Sequence, residues 1–172
     1  MKYPLVYGGI SGAVAIIVIC ISLVTGLPDH SLWFGYLVML AALSLIFVGV
    51  KRYRDVECGG VVNFGRAFSV GLGIALVAGV IYVVGWEAFI AVSGYDFMAD
   101  YTAGILRGMR DQGATAAAIQ AKAAEMQQMA VNYHNPLFRL PMIFVEIFPV
   151  GLIVALVSAA LLRNPRLLPA RA

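Results

Sequence analysis

Asn135 to Arg163 reads NPLFRLPMIFVEIFPVGLIVALVSAALLR. From about Leu140 to Leu162 this run is long and apolar enough to cross a bilayer, which takes about 17–25 such residues. It opens after a polar segment and stops at a basic residue. Yet it carries a carboxylate, Glu146, and a proline, Pro149, where apolar residues would serve. Three further runs pass the same test: Leu5 to Leu27, Leu32 to Val50, and Ala67 to about Val92. The first follows Lys2 as a signal peptide would, but its apolar core is too long for a signal h-region and Leu23–Gly26 is a poor small-x-small cleavage site. It reads as a span.

Composition agrees. Hydrophobic residues make up 62% of the 172 and charged ones 12%, against about 45–50% and about 25% in a soluble domain. The net charge of +3 does not point to nucleic acid, because the basic residues flank apolar runs and form no stripe. Cys20 lies in an apolar run and Cys58 in a basic loop, with no pairing that would suggest a disulfide or a metal knuckle.

The positions of lysine and arginine set the expected orientation. Eight of them (Lys2, Lys51, Arg52, Arg54, Arg66, Arg163, Arg166, Arg171) fall on one side of the four spans and four (Arg107, Arg110, Lys122, Arg139) on the other. The larger set hugs the span ends, which predicts both termini in the cytoplasm. The turn at Pro28–His30 is then outside and the loop KRYRDVECGGVVNFGR inside.

About 94–135 is the one sizeable extramembrane part. Phe97, Tyr101, Ile105 and Met109 recur at four-residue steps, and Ile119, Ala123, Met126, Ala130 and Tyr133 form a second helical set. Gly113 is placed to end the first helix and Thr115 to open the second. The pattern predicts an amphipathic helical hairpin, either a plain connection or a docking surface. Its small residues and methionines suit close, adaptable packing.

Small residues also mark the spans: Gly8 and Gly12 in the first, Ala67, Gly71, Ala75 and Gly79 in the third, Gly151, Ala155 and Ala159 in the fourth. Four-residue spacing of this kind lets helix backbones approach in lipid, within one chain or between two copies.

A charge at the bilayer centre costs about 2.5–3.5 kcal/mol on insertion scales, so Glu87 and Glu146 each need a partner or a purpose. Counted from Gly94 and from Pro141, both are expected about 7–11 Å inside the outer boundary, where they could meet. Glu146 stands about 180° around its helix from Ala155 and shares a face with Pro149, Val150 and Ile153. Pro149 donates no amide, which leaves the carbonyl of Val145 free and favours a polar spot with a kink. His134, Arg139, Asp29, His30 and Trp86 are the rim residues that could approach. The pair could fix helix register, exchange protons along a transport path, or bind a divalent metal together with His30 and His134. Trp33, Phe34, Tyr36, Trp86 and Phe89 are placed for an aromatic belt at the outer interface. GxxxxGK[ST], HExxH and GxSxG are all absent, and no nucleophile-plus-base arrangement appears.

The succession of a glycine-rich first span, GVKRYRD, VNFGRAFSVG, YHNPLFR and EIFPVGLIVALVSAALL resembles a bacterial membrane family catalogued only as domain of unknown function 4199. The likeness covers nearly the whole chain and is most specific over Gly49–Asp55, Asn63–Gly71 and Asn135–Leu162. Asn135, Pro136, Glu146, Pro149 and Gly151 match its pattern. The resemblance implies four spans with a helical insert between the third and fourth, and it brings no activity.

These readings combine into an all-α integral membrane four-helix bundle, 1–172 as a single membrane domain, with an extracytoplasmic amphipathic helical hairpin between spans three and four. The expected function is that of a non-enzymatic inner-membrane packing or assembly component. Its expected partners are the lipid bilayer and a second copy or another membrane protein, with no nucleic acid, cofactor or metal. The other reading is a small transporter or channel subunit with an outer-leaflet carboxylate site.

Overall fold

A computed structural model describes residues 2–25 and 32–169. Among them are seven helices and no strand: α1 Lys2–Thr25, α2 Leu32–Leu43, α3 Leu45–Glu57, α4 Phe64–Ser93, α5 Phe97–Asp111, α6 Ala116–Tyr133 and α7 Pro136–Leu162. Four stretches are long and apolar enough to cross a membrane: α1, α2–α3 taken together as Trp33–Glu57, α4 and α7. The chain divides into two compact units, Met1–Glu87 with Phe144–Ala172, and Ala88–Ile143.

Polar residues at the run edges decide where the helices begin. Asn63 accepts the amide of Arg66 at 2.8 Å, so α4 starts at Phe64, three residues before its apolar run. Asn135 accepts the amide of Leu137 at 3.0 Å ahead of Pro136. Proline suits a first helical position because its missing N–H has no helical partner there anyway. Hence α7 begins at Pro136 and passes without interruption through Pro141 and Pro149.

The second run is broken at Ser44. The Ser44 hydroxyl donates to the Ala41 carbonyl at 2.6 Å, and the Phe47 amide reaches the Ser44 carbonyl at 3.0 Å, a tightened turn. Serine bonding back to its own helix bends it. Beside the break, the buried Ser11 hydroxyl of α1 donates to the Ala42 carbonyl at 2.7 Å. In lipid a loosened backbone carbonyl needs such a substitute, since water cannot serve it. Beyond Val50 the helix runs on to Glu57, carrying its basic residues on the last turns.

The unit of long helices is held by backbone approach. A Cβ built on Gly12 would stand 2.5 Å from the Ala78 carbonyl oxygen, and one on Gly8 would stand 2.7 Å from that of Ile74. So α1 lies directly on α4. On another side of α4, a Cβ on Gly71 would meet Ala155 at 3.0 Å, one on Gly151 would meet Ala75 at 2.9 Å, and one on Gly79 would meet Phe144 at 2.6 Å. Ala159 is fully buried one turn beyond Ala155. The small-residue stripes are therefore occupied within the chain. Trp86 is buried, at 5% exposure, and belongs to the packing and not to an interfacial belt. It follows Gly85, whose own site presses on Ile16 of α1. Trp33, at 84% exposed, is free to occupy an interface.

The other unit is a hairpin of α5 on α6. Asp96 caps α5 by accepting the Ala99 amide at 3.0 Å, and Thr115 caps α6 by accepting that of Ala118 at 3.3 Å. Between them Gly113 takes φ 75°, a left-handed conformation that glycine adopts without a Cβ penalty. Met98, Met126 and Tyr133 are its buried side chains, with Phe97 against Tyr133 at 5.9 Å between ring centroids.

Gly12→Ala should destabilise the unit of long helices by about 1–3 kcal/mol, because the added methyl meets backbone that cannot swing aside. Gly9→Ala has open space around its Cβ and should stay within about 0.5 kcal/mol of wild type. Reversible unfolding in mixed detergent micelles measures both.

Candidate functional site

The polar groups fall in three places. The first is the exposed face of α7. Ile143, Ile147, Ala155 and Ala159 are buried, whereas Met142, Val145, Glu146, Pro149 and Ile153 are exposed. Glu146 thus points away from the packed face, and no hydrogen bond or ion pair joins it to a described residue. Pro149 has no amide to give to the carbonyl of Val145, itself a residue 63% exposed. The Glu146 carboxylate therefore stands among apolar groups with no donor among the described residues, one position from a carbonyl that lacks its usual helical amide.

Glu87 is in a different position. It is half-buried on α4 and has an interaction partner. Because Gly71 faces Ala155 and Ala75 faces Gly151, every step of four along α4 is matched by four steps back along α7. Continued, this register puts Glu146 level with Val80, and Glu87 lies seven residues, about 10 Å, farther along the axis. The expected match in depth does not occur. It assumed that the fourth span begins at Pro141, whereas Asn135 starts α7 at Pro136 and carries Glu146 a further turn and more into the helix.

The second place is a recess of about 260 Å³ in the hairpin unit, where Tyr95, Asp96, Tyr133, His134 and Arg139 meet beside Ile90, Gly94, Phe97 and Met98. Arg139 donates to the Tyr133 carbonyl at 3.2 Å and lies over the Tyr133 ring at 5.5 Å from its centroid. This cation–π contact anchors the guanidinium at the turn leading into α7. Tyr95 packs on Phe89 and donates its hydroxyl proton to Asp100. Burial, then this bond and the charges of Asp100 and Asp96, push the phenol up to about 12. Of the rim residues expected around the carboxylates, His134 and Arg139 come together here. Asp29 and His30 lie outside the described residues.

The third place escaped the sequence reading, in which Arg54 was only one of several topological cations. Arg54 is 0% exposed. Its Nε donates to Asp55 Oδ1 at 2.7 Å, its Nη1 to the Leu167 carbonyl at 2.9 Å, and its Nη2 to the Leu168 carbonyl. Lys51 closes the group with an ion pair to Asp55. A planar guanidinium can serve three acceptors at once where an ammonium would not span them. Leu168 is held with φ 48°, a conformation that bulky residues keep only when their surroundings fix it. The Arg54 backbone carbonyl also accepts the amides of Cys58 and Gly60, ending α3. Nearby, Glu57 accepts Tyr3 at 3.0 Å and pairs with Lys2 at 2.7 Å. Both termini are thereby tied to the same end of the long helices. The signal available in the sequence was an Arg–Asp pair one turn inside a helix that outlasts its apolar run.

The family described as protein of unknown function, DUF4199, matches residues 6–164. The chain belongs to that family. The match takes in Arg54, Asp55, Glu87, the hairpin recess and Glu146, and it ends short of Leu167 and Leu168, the carbonyls that Arg54 holds. No curated protein and no solved structure matches this DUF4199 chain.

Arg54→Ala should cost about 3–5 kcal/mol, as removing one member of a buried ionic group does. It should also speed tryptic cleavage after Arg166, because the tail loses its anchor. Arg54→Lys should restore protection only in part. In the hairpin, Tyr95 should titrate well above an ordinary tyrosine, followed by phenolate absorbance and assigned by Tyr95→Phe. Its folded phenol holds the proton more tightly than an ordinary tyrosine of about 10. The stability this brings is full below about pH 10 and is lost as the pH rises through about 12.

Proposed function

We propose that the chain is a non-enzymatic assembly component of the bacterial inner membrane, and that the exposed face of α7 around Glu146 is where it meets its partner. The termini, with the eight basic residues at their end, are placed in the cytoplasm on this reading. The observation that carries it is the Glu146 carboxylate, exposed on an otherwise apolar face with no donor among the described residues, beside the Val145 carbonyl that Pro149 cannot serve. Ionisable groups at membrane depth almost always face a bundle interior or pair with one another. A group without a partner among the described residues is one that a second chain would complete. The small-residue stripes, the other means of association, are already used internally, which leaves the α7 face and the hairpin as docking surfaces. The occupant is a second copy or another membrane protein that supplies hydroxyl, amide or cationic donors at the depth of Glu146.

Association measured in lipid nanodiscs, by subunit counting or cross-linking, tests this. Glu146→Leu should weaken it by about threefold to twentyfold, corresponding to about 0.6–1.7 kcal/mol for hydrogen bonds between helices in lipid. Wild-type protein that stays monomeric and co-purifies with nothing would overturn the reading. Should Glu146→Gln instead abolish proton or solute flux in proteoliposomes while association is unchanged, the transporter reading replaces it.

A further inference from the structure

At the end of the long helices that carries both termini, α1 and α3 leave a recess of about 310 Å³ lined by Lys2, Tyr3, Val6, Tyr7, Arg52 and Val56. Two exposed stripes at four-residue spacing run from it along the helices: Lys2, Val6 and Ile10 on α1, and Val48, Arg52 and Val56 on α3. On α1 the cation is outermost and the aliphatic groups follow inward. On α3, Val48 continues inward from Arg52. Between the stripes the floor is aromatic. Tyr3 stacks on Tyr7 at 6.5 Å and meets Tyr53 edge-on at 5.5 Å, while Tyr7 is pressed against Gly49.

The two cations differ in their engagement. Lys2 pairs with Glu57 at 2.7 Å but keeps a side chain 69% exposed, so its remaining donors are open. Arg52 is exposed and makes no hydrogen bond or ion pair with any described residue. The neighbouring carboxylates are already taken, Glu57 by Lys2 and Tyr3, Asp55 by Lys51 and Arg54. An unpaired guanidinium beside a lysine, at the end of membrane-length helices and above an aliphatic groove, calls for a ligand with an anionic head and an apolar tail.

We propose that this recess seats one anionic phospholipid of the surrounding bilayer, its phosphate between Lys2 and Arg52 and an acyl chain along Val6, Ile10 and Val48. The guanidinium fork suits two phosphate oxygens, and the ammonium adds a point charge. Basic pockets between spanning helices are a recurrent form of headgroup recognition. The exposed apolar stripe alone would accept any lipid. Charge complementarity at its end selects the anionic one.

The test uses the full chain in nanodiscs of phosphatidylcholine with increasing phosphatidylglycerol, and counts retained lipid by native mass spectrometry. Wild type should keep one phosphatidylglycerol in preference to phosphatidylcholine. Arg52→Gln, which breaks no hydrogen bond or ion pair among the described residues, should lower that preference about fivefold, equivalent to about 1 kcal/mol for one basic residue near the surface. Arg52→Lys should keep most of it. Arg163→Gln removes an equal charge from the same end outside the recess and should leave the preference intact. Equal losses in Arg52→Gln and Arg163→Gln would reduce the effect to general surface charge and overturn the proposal. So would a wild type that retains both lipids alike.

Discussion

The approach of α1 to α4 at Gly8 and Gly12 is the constraint from which the rest of the arrangement follows. With Ile74 and Ala78 carbonyls where Cβ atoms would otherwise stand, the two backbones are in van der Waals contact and neither helix can slide without a collision. Lipid tails are as apolar as the side chains, so such contact, and not burial from water, drives the association. Having α1 on one side and α7 on another, α4 becomes the axis of its unit. Every small residue it carries at these levels faces a neighbour. What remains outward is large and aliphatic, as with Val80 and Val84 on α4 and Val145 and Val157 on α7.

A second set of interactions works at one end only. Arg54 binds carbonyls more than a hundred positions away in the chain, and Glu57 binds the first residues of α1. These bonds fix α3 to the start of α1 and to the segment that follows α7. Buried within protein, the guanidinium has all its acceptors at hand. Its worth lies in position: removing it leaves two carbonyls and the Asp55–Lys51 pair without the group they surround. The family match stops at residue 164, just before the carbonyls Arg54 uses. The arginine belongs to the part of the chain that the family describes, while the strand of tail it grips lies past that part.

Much of this was written in the amino-acid order. Apolar runs of bilayer length marked the four long helices, and four-residue spacing marked the residues on which α4 and α7 meet, because both signals are local. Registers and partners are not local. The end of an apolar run is not the end of a helix: Asn63 and Asn135 start α4 and α7 earlier than hydropathy suggests, and a basic turn extends α3 to Glu57. The five-residue earlier start of α7 accounts for about half of the shift that separates Glu87 from Glu146 in depth. Trp86 looked interfacial by its place near a run's end, yet it is buried, on a stretch where Gly85 lets Ile16 of α1 close on α4. Arg54 could not be told from Lys51 or Arg52 until the tail was folded against it.

The proposed docking face rests on the contrast between Arg54 and Glu146. Both are ionisable groups in helices that read as membrane spans. One is sealed among its own chain's acceptors, and the other stands outward beside the carbonyl that Pro149 cannot serve, with no donor among the described residues. Internal packing cannot explain Glu146, because Ile147, its neighbour on the buried side, fills the core position at 1% exposed. Nor does helix stability, since an apolar residue there would serve better, by about 2.5–3.5 kcal/mol on insertion scales if the site lies at the bilayer centre. No donor among the described residues offsets a cost of that size, and the proposed partner is what would offset it. On the proposed reading a donor brought by another helix supplies the relief, and the exposed aliphatic residues on either side of Glu146 are the surface against which that helix would pack.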